Sequence, residues 1–477
     1  MTMKKGFKLG LAPTRRFCFS VEDAHRYKAL TERKLDDLGI EYVNIDSVNE
    51  EGLLIRMEDA HKAIALFKAE DVDAVFVPHV NFGTEEVVAT LCRALGKPVL
   101  LWGPRDEAPL DDGIRLRDSQ CGVFATSNVL QKYGVQFTYI VSSRMDDPIL
   151  REGILTFVAA ASVVKAFIGA RIGQISTRPP NFYTVIINEQ DLLTRWGIEL
   201  MPLTALRFTN EVRRIAREDP RIPQEVESIA QNIAVRDTPK DALPLIAGMK
   251  LFMLDWAREA NLSAIAIRCH EDLPEELKCY SCYANALVTD AGIPVACETD
   301  IHGALSSLLI QAANLNTEAA FFADLTIRHP NNDNGVLLWH CGNFPPCLQA
   351  KGCDAFLAGH CNVAPGYPGT GNFAIDAQDL TVCRFDGING RYKLFIGEGT
   401  ATSGPFCLGT YVWMEVADWP LWEEKLVYGP YVHHVAGVRG KCAAALLEAC
   451  RYISGLAADV ATPTEQQIRA RLRGSMC

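Results

Sequence analysis

The chain has 477 residues, 48% hydrophobic and 22% charged, a length that suits about three ordinary domains. Its 47 basic and 58 acidic side chains leave a formal charge of -11, which provides no electrostatic footprint for nucleic acid and disfavours anionic membranes. No apolar run reaches the roughly twenty residues of a membrane span, and the opening MTMKKGFKLGLAPTRRF lacks the apolar core of a secretory signal, so a cytoplasmic protein with its 16 cysteines reduced is expected.

From Lys8 to about Ala170, short apolar runs alternate with amphipathic segments: FKLGLAP, SVEDAHRYKALTERKLDDLG, EYVNID, RMEDAHKAIALFKAE, VDAVFVPHV, GTEEVVATLCRALG and PVLLWGP. This rhythm predicts a Rossmann-like open parallel sheet covered on both faces. Ser20 with Glu22 and Asp23 marks a helix start and Gly39 its stop, and DPILREGILTFVAAASVVKAFIGA reads as a helix closing the domain. A second series, TVIINE, IELMPLT, LSAIAIRCH, IPVACETD and AAFFADLTI, predicts a second Rossmann-like α/β domain, with RRIAREDPRIPQEVES as a surface excursion. Beyond about Pro330, the pieces LLWHCG, DLTVCRFDG, YKLFIGEG and TYVWMEVA predict a mostly antiparallel sheet or barrel ended by the helix KCAAALLEACRYISGLA; GYPGTGNF reads as a loop. The expected domains are residues 1–170, 171–328 and a β-rich 329–477.

The stretch CETDIHGALS leaves an apolar run and sets Glu298, Asp300 and His302 at a strand's C-terminal end, where α/β proteins bind ligands. Asp300 alone is satisfied as the cap of the following helix. Glu298 sits deeper, and a carboxylate there needs a compensating partner. FFADLTI places Asp324 at a second acidic strand end; if the two strands are neighbours, both carboxylates enter one crevice, and a divalent cation relieves their repulsion. His340 in LLWHCGN and the pair His433 and His434 in GPYVHHVAG are either hydrogen-bonded core histidines or further ligands, and carboxylates with histidine suit Mn²⁺ or Mg²⁺. Trp413 could stack on a sugar face or serve as a core aromatic. CYSC, Cys279 to Cys282, has zinc-ligand spacing without a second close C-x-x-C.

ACETDIHGAL, FFADLTI and HHVAGVRG, in this order, resemble the motifs of the L-fucose and L-arabinose isomerases over nearly the whole chain. The resemblance implies a manganese ion held by Glu298, Asp324 and His434, with Mg²⁺ or Co²⁺ as alternatives and no organic cofactor. His340 resembles a further ligand of the arabinose isomerases, which fucose isomerases lack. The implied reaction interconverts an open-chain aldose and its 2-ketose through a cis-enediol, Glu298 and Asp324 each acting as ligand and as acid or base. APTRRF resembles the loop through which fucose isomerases offer an arginine, here Arg16 or else Arg15, to a neighbouring subunit's site, so a homo-oligomer, trimer or hexamer, is implied; the plain reading is a solvated surface pair. Arg16, His433 and Trp413 are the expected substrate contacts. A neutral deoxyhexose or pentose ranks first as substrate and an anionic sugar such as sulfoquinovose second. Two open α/β domains also build non-catalytic sugar-binding proteins, the alternative of another class.

Overall fold

A computed structural model describes residues 6–239, 241–363 and 366–474. The chain forms two compact units, Met1–Lys165 with Leu447–Ser454 and Gln466–Cys477, and Ala166–Leu446 with Gly455–Glu465. Among the described residues no helix is long and apolar enough to cross a membrane.

The first unit is built on a five-stranded parallel sheet in the order Tyr42–Val43, Leu9–Leu11, Ala74–Pro78, Val99–Trp102, Thr138–Tyr139. Ala74–Pro78 and Val99–Trp102 are buried at every position, which is why they read as unbroken apolar runs. The helix Val21–Asp37 starts as expected: the Ser20 hydroxyl accepts from the Asp23 N–H at 3.1 Å, with Glu22 and Asp23 in the first turn.

In the second unit, Val295–Ala296, Ala264–Ile267, Arg171–Ile175 and Glu199–Leu203 form a four-stranded parallel sheet in that order. A ten-stranded sheet runs Leu456–Val460, Arg391–Thr402, Asp379–Ile388, His434–Arg439, Phe321–Arg328, Gly335–His340, Thr410–Glu415, Pro368–Ala374, Phe356–Gly359, Ala234–Val235. Arg391–Thr402 also pairs with Thr410–Glu415, which closes the antiparallel strands between them into a barrel. The helix Ile301–Ala313 is buried along its whole length because it touches both sheets, resting on Ala264–Ile267 and Val295–Ala296 on one side and on Asp379–Ile388 and His434–Arg439 on the other. Gly303 is obligatory there: a Cβ would stand 2.4 Å from the Phe322 ring and 2.7 Å from the Asp300 carboxylate.

The mixed α/β class with a β-rich C-terminal part agrees with the sequence reading, and several elements differ. Phe321–Arg328, assigned to the second parallel sheet, is a barrel strand; its apolar run reveals burial but not the partner sheet. TVIINE is no strand: Tyr183–Val185 is a 3₁₀ turn following Pro179 and Pro180, and Asn188 caps the next helix by accepting from Asp191 N–H at 3.2 Å. RRIAREDPRIPQEVES forms the ends of two helices, Ala205–Glu218 and Ile222–Asn232, broken at Pro220. GYPGTGNF contains the strand Pro368–Ala374, whose glycines permit close approach: a Cβ on Gly369 would lie 2.2 Å from the Tyr280 carbonyl. The final predicted helix stops at Cys450, and a strand, Leu456–Val460, and a helix, Glu465–Leu472, follow it.

His79 in the first unit is fully buried, with Nε2 at 2.8 Å from Thr126 Oγ1 and Nδ1 at 3.3 Å from the Val77 carbonyl. Burial lowers its pKa from 6.5 to about 4, only partly offset by the Val77 bond. The folded state therefore binds fewer protons than the unfolded one between these values, so this stabilisation is present above pH 6.5 and fades as pH falls toward about 4. We predict that denaturant unfolding from neutral pH down to this range shows a loss of about 3 kcal/mol attributable to His79, and that His79→Gln makes the decline correspondingly shallower.

Candidate active site

Two strand ends, at His340 and His434, the middle of the strand Phe321–Arg328, where Asp324 lies instead of at the expected strand end, and the loop at Glu298 converge in the second unit. Glu298 and Thr299, just after Val295–Ala296, both take left-handed backbone angles, φ 54° and 55°, held by Thr299 N–H to the Ile267 carbonyl and Asp300 N–H to the Cys297 carbonyl, each at 3.0 Å. This bend turns the Glu298 carboxylate toward the barrel. Asp324 and His434 are a direct cross-strand pair of the barrel, so their side chains share one face.

The distances define one cluster. His434 Nε2 lies 3.4 Å from Glu298 Oε2 and 3.5 Å from Asp324 Oδ1. His340 Nε2 is 3.8 Å from Glu298 Oε2, and His433 Nε2 is 3.8 Å from Asp324 Oδ1. Glu298, His340 and His434 are buried. Glu298 Oε2, Asp324 Oδ1 and His340 Nε2 are nevertheless buried atoms without a hydrogen-bond partner. Asp324, His433 and His434 each offer a donor atom within 4.8 Å of the others, and Glu298 Oε2 adjoins them through His434. Unsatisfied buried oxygens facing imidazoles suit a hard or intermediate divalent cation, so the expected ligands Asp324 and His434 fit such an ion directly and Glu298 fits it by closing in from beside His434. The carboxylates meet, but not as neighbouring strands: Glu298 comes from the parallel sheet and Asp324 from the barrel.

The two central histidines are oriented differently. His434 Nδ1 donates to Asp300 Oδ2 at 2.8 Å, which leaves the Nε2 lone pair facing the carboxylates. His340 Nδ1 accepts the Cys341 N–H at 2.9 Å, which leaves the ring proton on Nε2, aimed at Glu298. Asp300 does cap its helix, accepting from Gly303 N–H at 2.8 Å, and in addition it is fully buried in an ion pair with Arg384. Arg384 donates to Asp386 from Nε at 3.0 Å and from Nη2 at 2.8 Å. His302 is turned away from the cluster: its Nδ1 pairs with Asp386 Oδ1 at 2.9 Å.

The other side of Glu298 was not foreseen from the sequence. Oε1 receives a hydrogen bond from Cys269 Sγ at 3.5 Å and lies 3.2 Å from His270 Nε2. Both residues end LSAIAIRCH, a strand terminus of the same kind as that of Glu298, so the signal was present. Burial would raise the Glu298 carboxyl, but the surrounding imidazoles, His270 first and then His340 and His434, hold it well below the ordinary carboxylate range. Burial is likewise outweighed at Asp300, where Arg384 and His434 keep the carboxyl ionised.

The remaining expected residues fall elsewhere. Trp413 is buried, donates its Nε1–H to the Pro405 carbonyl at 2.9 Å and packs its ring edge-on against His329; these contacts are with neighbours outside the cluster. Cys279 and Cys282 do not form a three-donor group among the described residues. In the first unit, Arg15 is buried and bidentate to Glu51, both bonds at 2.6 Å, whereas Arg16 is partly exposed, pairs with Glu85 and lies over the Phe82 ring at 4.2 Å. Of the two, Arg16 is the arginine with a free face.

Residues 10–168 match the family model described as fucose/sulfoquinovose isomerase, N-terminal domain. The chain is 25% identical over 415 residues to the sulfoquinovose isomerase of Priestia aryabhattai, covering 85% of this chain and 89% of that one. It is 26% identical over 335 residues to that of Alkalicoccus urumqiensis, covering 70% and 73%, and 23% identical over 349 residues to that of a Clostridium species, covering 72% and 76%. The chain is similar to the fucose isomerase-like proteins, by its first third to the family model and by most of its length to these relatives. The family model matches the N-terminal part of the first unit, and an alignment of 415 residues is too long to be confined to that unit.

We predict that Asp300→Asn, which leaves Arg384 and His434 without their shared anion, destabilises the protein by about 3 to 5 kcal/mol in denaturant titrations. Where the variant stays folded, calorimetry should show Mn²⁺ affinity lower by about 10- to 100-fold.

Proposed function

We propose that this chain is an aldose-ketose isomerase acting on an anionic six-carbon sugar of the sulfoquinovose kind. The observation that carries the reading is the convergence of Glu298 Oε2 and Asp324 Oδ1, both without hydrogen-bond partners, on the His434 imidazole at 3.4 and 3.5 Å. The relatives named for sulfoquinovose favour the anionic substrate over the neutral deoxyhexose or pentose that the sequence reading ranked first.

Glu298, Asp324 and His434 would hold the ion, and a bound Mn²⁺, or alternatively Mg²⁺ or Co²⁺, would supply Lewis-acid polarisation of the open-chain sugar's carbonyl. Glu298 and Asp324 share the acid and base roles: one takes the C2 proton of the aldose as O1 gains a proton, and C1 is protonated as O2 loses its own, which returns the 2-ketose. His340 directs Nε2–H toward Glu298 from 3.8 Å, too far for a hydrogen bond, so in this reading it favours the ionised carboxylate electrostatically and is not a ligand. His433, half-exposed beside Asp324, faces the substrate side. No organic cofactor is needed.

The anionic end of the substrate calls for a guanidinium. Arg268 stands at the same sheet edge, one residue before Cys269, with a buried Nε lacking a partner and Nη1 at 3.4 Å from Thr177 Oγ1; its guanidinium is ion-paired with Glu271 and, at 3.0 Å, with Asp272, pairs that an anionic substrate would have to displace. Thr299, next to Glu298, bonds the Thr177 carbonyl at 3.3 Å, which links the two positions. Arg16 of a second copy in a homo-oligomer is the other source of positive charge.

Sulfoquinovose, L-fucose, L-arabinose and D-arabinose assayed with Mn²⁺ and with chelator provide the test. We expect sulfoquinovose to be converted best, activity to vanish with chelator and return with Mn²⁺, and Glu298→Gln and Asp324→Asn each to lose about 100-fold or more in kcat. Failure to convert any aldose would return the chain to the sugar-binding class, and near-normal turnover by either variant at saturating metal would overturn the mechanism.

A further inference from the structure

Glu298 has two faces, and the proposed reaction uses only one. Oε2 faces Asp324, His434 and His340; Oε1 faces two sulfurs and a histidine. Cys269 Sγ, Cys297 Sγ and a Glu298 carboxylate oxygen all lie within 4.8 Å of one another. Two metal–sulfur bonds of about 2.3 Å at a tetrahedral angle span somewhat under 4 Å, so only a small contraction separates this group from a coordination sphere. His270 Nε2, 3.2 Å from Glu298 Oε1, stands beside these three rather than within the same 4.8 Å limit, and a small rotation toward the sulfurs would make it a fourth donor. Cys269 and Cys297 are 2% and 0% exposed, and the His270 side chain, 22% exposed, is the member that solvent reaches.

The surroundings of Cys297 distinguish it from an ordinary buried thiol. Its sulfur accepts two side-chain amides, Asn285 Nδ2 at 3.6 Å and Asn343 Nδ2 at 3.4 Å. Two donors converging on one sulfur give Cys297 a polar seat, while the neighbouring Cys269 and burial hold its thiol pKa up until an ion displaces the proton.

We propose that Cys269, Cys297, His270 and Glu298 form a second cation site, selective for a soft or borderline divalent ion of the Zn²⁺ or Cd²⁺ class. Thiolate donors select such ions, whereas the Asp324 side offers only oxygen and nitrogen. Coordination converts both thiols to thiolates and releases their two protons to solvent. Because Glu298 belongs to both donor sets, an ion on the sulfur side takes the carboxylate away from the other set. Zn²⁺ is therefore an inhibitor that binds beside the reaction centre; this consequence, unlike the site itself, rests on the isomerase reading above.

The test uses the full-length protein. X-ray absorption of wild type carrying one equivalent of Zn²⁺ should show two sulfur ligands with nitrogen or oxygen completing the shell. Cd²⁺ titration should produce a thiolate-to-cadmium charge-transfer band in wild type and in Asp324→Asn alike. In Cys269→Ser combined with Cys297→Ser, affinity should drop by at least about 100-fold, and Zn²⁺ inhibition, measured against that variant's own activity, should weaken to match. A zinc shell with no sulfur or with four sulfurs, or a double variant that binds Cd²⁺ as wild type does, would overturn the site. Should the double variant fail to fold, the wild-type absorption spectrum decides. Absence of isomerase activity would remove the inhibition arm and the functional reading, while the spectroscopic arms would still decide the metal site.

Discussion

The active-site geometry depends on one buried anion. Asp300 is fully enclosed, and its two oxygens serve three groups: the Gly303 N–H at the start of the buried helix, the Arg384 guanidinium from the barrel, and His434 Nδ1. Removing a carboxylate from water costs several kcal/mol, repaid only when charge and hydrogen bonds are both satisfied. Here they are, because Arg384 is itself shared with Asp386, which in turn holds His302. The helix of the parallel sheet and two barrel strands are thereby joined by a single charge network. That network fixes His434 in the tautomer whose Nε2 faces Glu298 and Asp324.

Around this anchor, packing leaves little freedom. Phe322 lies 5.0 Å from the His434 ring and 5.5 Å from the His340 ring, and Gly303 exists because the Phe322 ring and the Asp300 carboxylate occupy the space its side chain would need. The imidazoles are therefore held by apolar contact on one side and by hydrogen bonds on the other. A site built on strands and a buried helix in this way keeps its donors in place without a ligand, the preorganisation that proton transfer between fixed positions requires.

What the sequence made legible follows from the kind of signal each feature leaves. Glu298 and Asp324 stood out because a charged residue ending an apolar run has few structural explanations, whereas His434 was marked only by the resemblance of HHVAGVRG to a family motif. The helices and parallel strands of the first unit were readable from their periods of hydrophobicity and from caps such as Ser20. Sheet membership was not: FFADLTI carries the burial pattern of a strand and nothing that names its partner, so Asp324 was assigned to the wrong sheet although its meeting with Glu298 was anticipated. Arg384 and Asp386 are written in DLTVCRFDG as charges inside an apolar strand, the pattern that flagged Glu298, but their meaning lies in Asp300 and His302, more than eighty residues earlier, and no local rule connects them. The left-handed pair Glu298 and Thr299 left no trace, since neither residue type is one that favours such angles.

That unfavourable backbone is the last element of the design. A non-glycine residue in the left-handed region costs on the order of 1 to 3 kcal/mol and persists only where its surroundings over-determine it. Thr299 is tied to Ile267 by its N–H and to Thr177 by its hydroxyl, and Asp300 is tied back to Cys297. Had residue 298 continued the strand, strict alternation would have sent its side chain to one face of the parallel sheet. The bend instead carries the carboxylate off the sheet edge into the space where the barrel's Asp324 and His434 project, while its other oxygen stays against the strand end that bears Cys269 and His270. Strain in two residues thus lets one carboxylate serve two layers of the fold. A parallel sheet and a barrel whose strands, among the described residues, do not pair with each other can in this way share a single centre.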